Sequence, residues 1–228
     1  MNAPATLAEP GRIARLPHDK HGRPVPWFVA WLRDGRPADP GSPGAVPDFR
    51  IIRPGAVGLA VTARCCWVCG SLFARQEPRA SLIGPMCVVN LVSAEPPSHG
   101  ECATYSARAC PFLATPRMTR RDRHLPAGTS DPPGTMIRRN PGVACVWVTK
   151  YNAGKVNRAP DGLLFDLGPS PLFVEWWAYG RTATRAEVVA SIETGLPALQ
   201  AIADDQGGDA PGRLAAQVEA AQRWIPTI

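Results

Sequence analysis

The chain has 228 residues, of which 45% are hydrophobic and 19% charged, with a formal net charge of +6. This is enough apolar material for one substantial core and excludes a disordered chain, while no apolar run is long enough to span a bilayer. The 26 prolines and 21 glycines point to loops and short elements rather than a helical bundle.

Residues 1–10 lack the apolar segment of a signal peptide, so a cytoplasmic protein is expected. In that compartment the seven cysteines are expected as reduced thiols or metal ligands rather than a disulfide framework. Residues 1–24 are polar and rich in proline and glycine and read as a flexible arm. Residues 25–31, Val-Pro-Trp-Phe-Val-Ala-Trp, read as an edge strand, because Pro26 would interrupt a central one. A surface loop is expected over residues 33–48. Strands are expected over residues 49–52 and 57–63, separated by Pro54-Gly55.

The second of these feeds a chemically demanding pattern between residues 65 and 111. Cys66-Trp67-Val68-Cys69-Gly70 has the form of a turn whose two thiolates face one cation, and Gly70 tolerates the left-handed backbone such a turn uses. His99 and Cys102 repeat the two-residue spacing. Ser98 and Glu101 have capping-box spacing, which predicts a helix start that turns His99 and Cys102 to one face. A zinc site of Cys66, Cys69, His99 and Cys102 in a treble-clef-like module follows, with Cys110 as an alternative fourth ligand if the helix is short. An iron-sulfur cluster on Cys66, Cys69, Cys102 and Cys110, and structural or redox thiols, are the competing readings. Cys65, Cys87 and Cys145 sit among apolar residues and read as core. Between the ligand pairs, residues 80–92 read as two short strands around Gly84-Pro85.

Residues 113–139 form a basic, loop-like insert, in which Arg117, Arg120, Arg121, Arg123, Arg138 and Arg139 are candidate nucleic-acid contacts. Lys150, Lys155 and Arg158 continue the basic character, and Tyr105, Trp147, Trp176 and Trp177 are candidate stacking surfaces. Residues 142–150 read as a buried strand, 152–155 as a turn, and 163–167 and 172–177 as further strands. Asp166 and Glu175 are a candidate carboxylate pair. Beyond residue 180, a helix capped by Thr182 or Thr184 is expected to end at Gly195, a second to begin about Pro197, and a third to run over residues 214–224.

The fold expected is therefore α+β: a mainly antiparallel β core with the zinc module and C-terminal helices. Residues 25–180 would form the β-rich domain holding the zinc module at 65–111 and the basic loop at 113–139, with residues 181–228 a helical segment packed on it. The chain resembles a group of bacterial and bacteriophage proteins. The shared residues are Pro24-Val25-Pro26-Trp27-Phe28-Val29, Cys66-Trp67-Val68-Cys69-Gly70, Ile83-Gly84-Pro85-Met86, Glu95-Pro96-Pro97-Ser98-His99, Cys102-Ala103, Cys110-Pro111-Phe112-Leu113, Arg139-Asn140-Pro141-Gly142-Val143 and Gly180-Arg181-Thr182-Ala183-Thr184. That resemblance implies a phage or mobile-element accessory protein and supplies no activity.

Three functions are open at this point. The first is a zinc-stabilised protein that contacts nucleic acid through the basic insert. The second is a factor that binds a host protein, for which the aromatics between Trp27 and Trp31 would serve as anchors. The third is a zinc hydrolase or deaminase in which His99 binds the metal and Glu101 moves protons. Cytidine deaminases place Pro-Cys-x-x-Cys after His-x-Glu, whereas Cys66 and Cys69 precede it here, so binding is favoured over catalysis. Neither a membrane role nor an oligomeric state is indicated.

Overall fold

The structure is a computed structural model that describes residues 7–115, 118, 125, 131–135, 137 and 139–227. In chain order the elements are α1 (Gly11–Ala14), β1 (Val29–Arg33), β2 (Arg36–Ala38), β3 (Val46–Ile52), α2 (Ala56–Ala63), β4 (Arg79–Ile83), α3 (Pro85–Asn90), β5 (Val92–Ser93), α4 (Gly100–Ala109) and α5 (Pro111–Ala114). There follow β6 (Ala144–Thr149), β7 (Lys155–Ala159), β8 (Gly162–Asp166), β9 (Phe173–Ala178), β10 (Arg181–Thr182), α6 (Arg185–Gln206), α7 (Ala210–Ala221) and a 3-10 turn, Gln222–Trp224. Strands pair as β2-β1-β3, β10-β9-β6-β4 and β5-β8-β7, and every named pairing is antiparallel.

β6 is the spine. Its Ala-Cys-Val-Trp-Val-Thr sequence is buried at every position, and it pairs with β4 on one side and β9 on the other. Successive side chains of a strand point to opposite faces, so β6 feeds two cores. Cys145 and Trp147 pack with Met86, Val89, Val188, Ile192 and Leu214, where α3, α6 and α7 cover the sheet. Val146 and Val148 pack with Ala80 and with Ala103 and Ala107 of α4. Small residues on that face of α4 let the helix lie close to the strand. The buried indoles find acceptors: Trp147 Nε1 donates to the Leu167 carbonyl at 3.3 Å and Trp176 Nε1 to that of Trp224 at 2.8 Å.

Several local expectations change. Residues 57–63 lie in helix α2, because burial recurs at Ala56 and Ala60, a helical spacing, and the segment is rich in alanine. Residues 85–90 form helix α3 rather than a second strand: Pro85 takes a first-turn position and Met86, Val88 and Val89 are buried. β1 is the middle strand of its sheet, since Pro26 lies ahead of the ladder and removes no bond from it. The expected loop over 33–48 contains β2 and the start of β3. The turn at 152–155 opens into the β7–β8 hairpin, and the strands at 163–167 and 172–177 belong to different sheets.

Gly195 does not end a helix. α6 runs through it and through Pro197 to Gln206, and a Cβ on Gly195 would stand 2.6 Å from Arg139 Nη2 and 2.8 Å from Met86 Sδ. Close approach, not termination, is what this glycine allows. At the other end Thr184 closes a full capping box: its Oγ1 accepts from Glu187 N, and Glu187 Oε2 accepts from Thr184 N. The hydrogen bonds from Arg181 first, and those from Thr184, draw the Glu187 pKa down from 4.5 to about 2. A carboxylate with a depressed folded pKa stabilises above its unfolded value, so this contribution is lost as pH falls from 4.5 toward 2. Thr184→Ala is expected to cost about 1 kcal/mol in denaturant unfolding at neutral pH.

Candidate metal centre

Cys66, Cys69, His99 and Cys102 converge, with one ligand atom from each residue and all of these within 4.8 Å of one another. Cys66, His99 and Cys102 are buried and Cys69 lies at the rim. The knuckle is shaped by backbone: Cys66 N donates to the Ser71 carbonyl, Gly70 N to that of Cys66, and Cys65 bridges to Leu72. Gly70 adopts φ 70°. The second pair comes from the entrance of α4, where His99 is the N-cap and Cys102 lies in the first turn. Trp67 N donates to the Pro97 carbonyl and ties the knuckle to that entrance.

The donor set fits one tetrahedral cation. His99 Nδ1 is 3.3 Å from Cys69 Sγ and 3.9 Å from Cys102 Sγ. Ligands around a tetrahedral zinc at its usual bond lengths stand about 3.5–3.8 Å apart. Cys66 Sγ accepts from the backbone N–H of Cys69 at 3.4 Å and of His99 at 3.3 Å, which fixes the position of this sulfur in the knuckle. Hydrogen bonds from Cys102 and Cys66 hold the Cys69 thiol well below the usual range, while the neighbouring Cys66 and Cys69 push that of Cys102 up. Burial opposes charge on His99, but Cys66 and Cys69 outweigh it and raise its pKa to about 9.

The histidine is oriented by its surroundings. Its Nδ1 faces the sulfurs, while Nε2 is buried, has no hydrogen-bond partner among the described residues, and lies 3.5 Å from Glu77 Oε2. Phe73 packs at 4.7 Å between ring centroids, and the Arg79 guanidinium lies 3.5 Å from the Phe73 centroid. Glu77 and Arg12, which completes this environment, carry no motif in the sequence. The segment expected as an arm supplies Arg12 and also Ile13, which is 1% exposed and packs with Cys66, Val68 and Cys102.

Other candidates fall elsewhere. Ser98 does not cap α4; it pairs with Ala80, and Glu101 accepts from Arg12 at 2.7 Å. Cys110 stands at the far end of α4, outside the cluster. Cys65 and Cys145 are buried and Cys87 is half-buried, and burial raises the pKa of all three thiols. Trp147 and Trp176 are core rather than stacking surfaces. Trp177 is half-buried beneath Arg108, and Tyr105 is half-buried against the group that contains Ile13, Cys66 and Cys102. Trp31 is buried and Trp27 half-buried, which removes the exposed anchors expected there.

Asp166 and Glu175 lie on different sheets with separate partners, Gly168 for the first and Thr104 and Trp177 for the second. Arg139 donates to Thr194 Oγ1 and to the Ser191 carbonyl, fastening residue 139 to α6. Arg117, Arg120, Arg121, Arg123 and Arg138 lie outside the described residues. Among the described residues no helix is long and apolar enough to cross a membrane. Compared with known proteins, the chain matches no protein-family model, no curated protein and no solved structure.

Proposed function

We propose that Cys66, Cys69, His99 and Cys102 bind one zinc ion and that the ion is structural. The observation that carries this reading is the closed donor set: three sulfurs and one imidazole nitrogen within 4.8 Å of one another. Catalytic zinc sites keep a position open for water, whereas Cys3His sites are structural. Glu101, the residue a hydrolase would need, is engaged by Arg12 instead. Bound there, zinc supplies a cross-link between the knuckle and α4. Elemental analysis of purified protein tests the reading: one zinc per chain is expected, with loss in Cys69→Ser and His99→Ala. Absence of metal after anaerobic purification would overturn it.

The protein built around this staple is proposed to bind a polyanion rather than to catalyse a reaction, with nucleic acid the leading candidate. Lys150, Lys155 and Arg158 are all exposed on and beside the β7–β8 hairpin, next to the exposed Tyr151, and none forms an ion pair among the described residues. The basic run at Arg117, Arg120, Arg121, Arg123 and Arg138 adds to the same middle part of the sequence. Salt-dependent retention on single-stranded DNA is expected, and Lys155→Glu with Arg158→Glu is expected to weaken it and flatten its salt dependence. Equal retention of the variant and the parent would remove the hairpin from the interface.

A further inference from the structure

The residues around His99 point beyond the four ligands. Glu77 Oε2 is the polar group facing the buried Nε2 of His99, at 3.5 Å. The carboxylate is itself positioned: its Oε2 accepts from Ala74 N at 2.7 Å, and the backbone carbonyl of Glu77 accepts from Arg79 at 2.9 Å. On its outer side Arg12 Nη2 stands 3.5 Å from Glu77 Oε1, and Arg12 Nη1 donates to Glu101 Oε1 at 2.7 Å. Arg12 thus spans one carboxylate behind the knuckle and another in the first turn of α4. Beside it, Ile13 is inserted against Cys66 and Cys102. Farther along the same segment, Trp27 N donates to the Val68 carbonyl and the Trp27 ring lies on Gly70.

We propose that Glu77 is a positioning residue for the metal site, the acceptor for His99 Nε2–H, and that Arg12 clamps the N-terminal segment onto it. The proposal rests on the zinc reading above. An imidazole that ligates through one nitrogen has its tautomer and ring plane fixed by whatever accepts from the other, and such partners strengthen metal affinity. With the Nε2 proton held toward Glu77, the Nδ1 lone pair of His99 is left for the ion that the three sulfurs would share. Because Arg12 and Ile13 reach the site from residues 7–25, docking of that segment and retention of the metal become one equilibrium. The segment then acts as a cover on the site.

The test compares zinc affinity, by competition with a chromophoric chelator, for the full chain and for Glu77→Gln and Glu77→Met. The first variant keeps an acceptor and the second, of similar length, does not. Glu77→Met is expected to bind zinc 10–100-fold more weakly, with Glu77→Gln recovering most of the loss. The cobalt-substituted protein checks the ligand set: an unchanged tetrahedral absorption in Glu77→Met shows that the four donors are intact and that only their support is lost. Hydrogen exchange on the zinc-loaded chain is expected to speed up across residues 8–25 in Arg12→Gln. If the parent binds one zinc and both Glu77 variants match its affinity, the positioning role is overturned. Unchanged exchange in Arg12→Gln overturns the clamp. A parent that takes up no zinc overturns the metal reading itself.

Discussion

Cys102→Ser is expected to abolish stoichiometric zinc uptake and to lower the unfolding free energy by more than ~4 kcal/mol. Cys102 is 0% exposed in the first turn of α4, in contact with the knuckle and with Ile13. The substitution removes one of four donors and leaves a buried hydroxyl among apolar neighbours, so two penalties coincide. They separate by experiment. Measured in excess chelator, parent and variant should differ by only about 1 kcal/mol, because the metal contribution is then missing from both. Cys110→Ser is the matched comparison, expected to keep one zinc and to change stability by less than about 1 kcal/mol. If Cys110→Ser lost the metal and Cys102→Ser kept it, the ligand set would be wrong. Metal ligands must be deprotonated to bind, so a stabilisation by zinc would be present at neutral pH and lost on acidification. The parent should therefore lose its advantage over Cys102→Ser as pH falls.

Gly70→Ala is expected to cost about 2–4 kcal/mol without altering the ligands. Two effects add there. The residue sits at φ 70°, a conformation that costs an L-residue about 1–2 kcal/mol. In addition, an added Cβ would lie 2.5 Å from Cδ1 and 2.6 Å from Cγ of Trp27, so the indole must move. That ring is held in place by the Arg53 guanidinium, 3.8 Å from its centroid, and by Trp67 across an edge-to-face contact. Denaturant titration of Gly70→Ala, Trp27→Ala and the double variant would isolate the clash. With Trp27 truncated, Gly70→Ala should cost only its backbone part, giving a double-mutant cost smaller than the sum. Additive costs would mean that the indole yields freely.

The convergence of Cys66, Cys69, His99 and Cys102 was legible in the sequence because the paired two-residue spacings each turn two donor side chains to one side. The same holds for β6, whose unbroken apolar run marks a strand covered on both faces, and in part for the start of α6, where Thr182 and Thr184 were both open as caps and Thr184 is the one used. Short apolar segments do not by themselves distinguish helix from strand. Residues 57–63 and 85–90 are short and apolar, and only the positions of burial, Ala56 with Ala60 and Met86 with Val89, distinguish helix from strand. Ser98 and Glu101 have capping-box spacing, but tertiary partners took both: Ala80 claims the Ser98 backbone and Arg12 the Glu101 carboxylate. Gly195 carries the signal of a helix end, yet it is required by Met86 and Arg139, residues far away in the chain. Glu77 and Arg12 were invisible because a supporting carboxylate and its cation have no fixed sequence distance from the histidine they serve.

Cys69 and His99 are 30 positions apart in the chain. A cross-link closing a loop of that length removes about 3–4 kcal/mol of conformational freedom from the unfolded chain in the polymer-entropy account of disulfides, and a metal bridge that persisted during folding would act in the same sense. The closed loop contains β4, whose Ala80 meets Ser98 just before the histidine. Cation capture would therefore deliver β4 already bent back against the start of α4, before the distant β6 arrives to pair with it. A long-range search in this topology, joining β4 to a strand more than sixty residues away, would begin from a preassembled half.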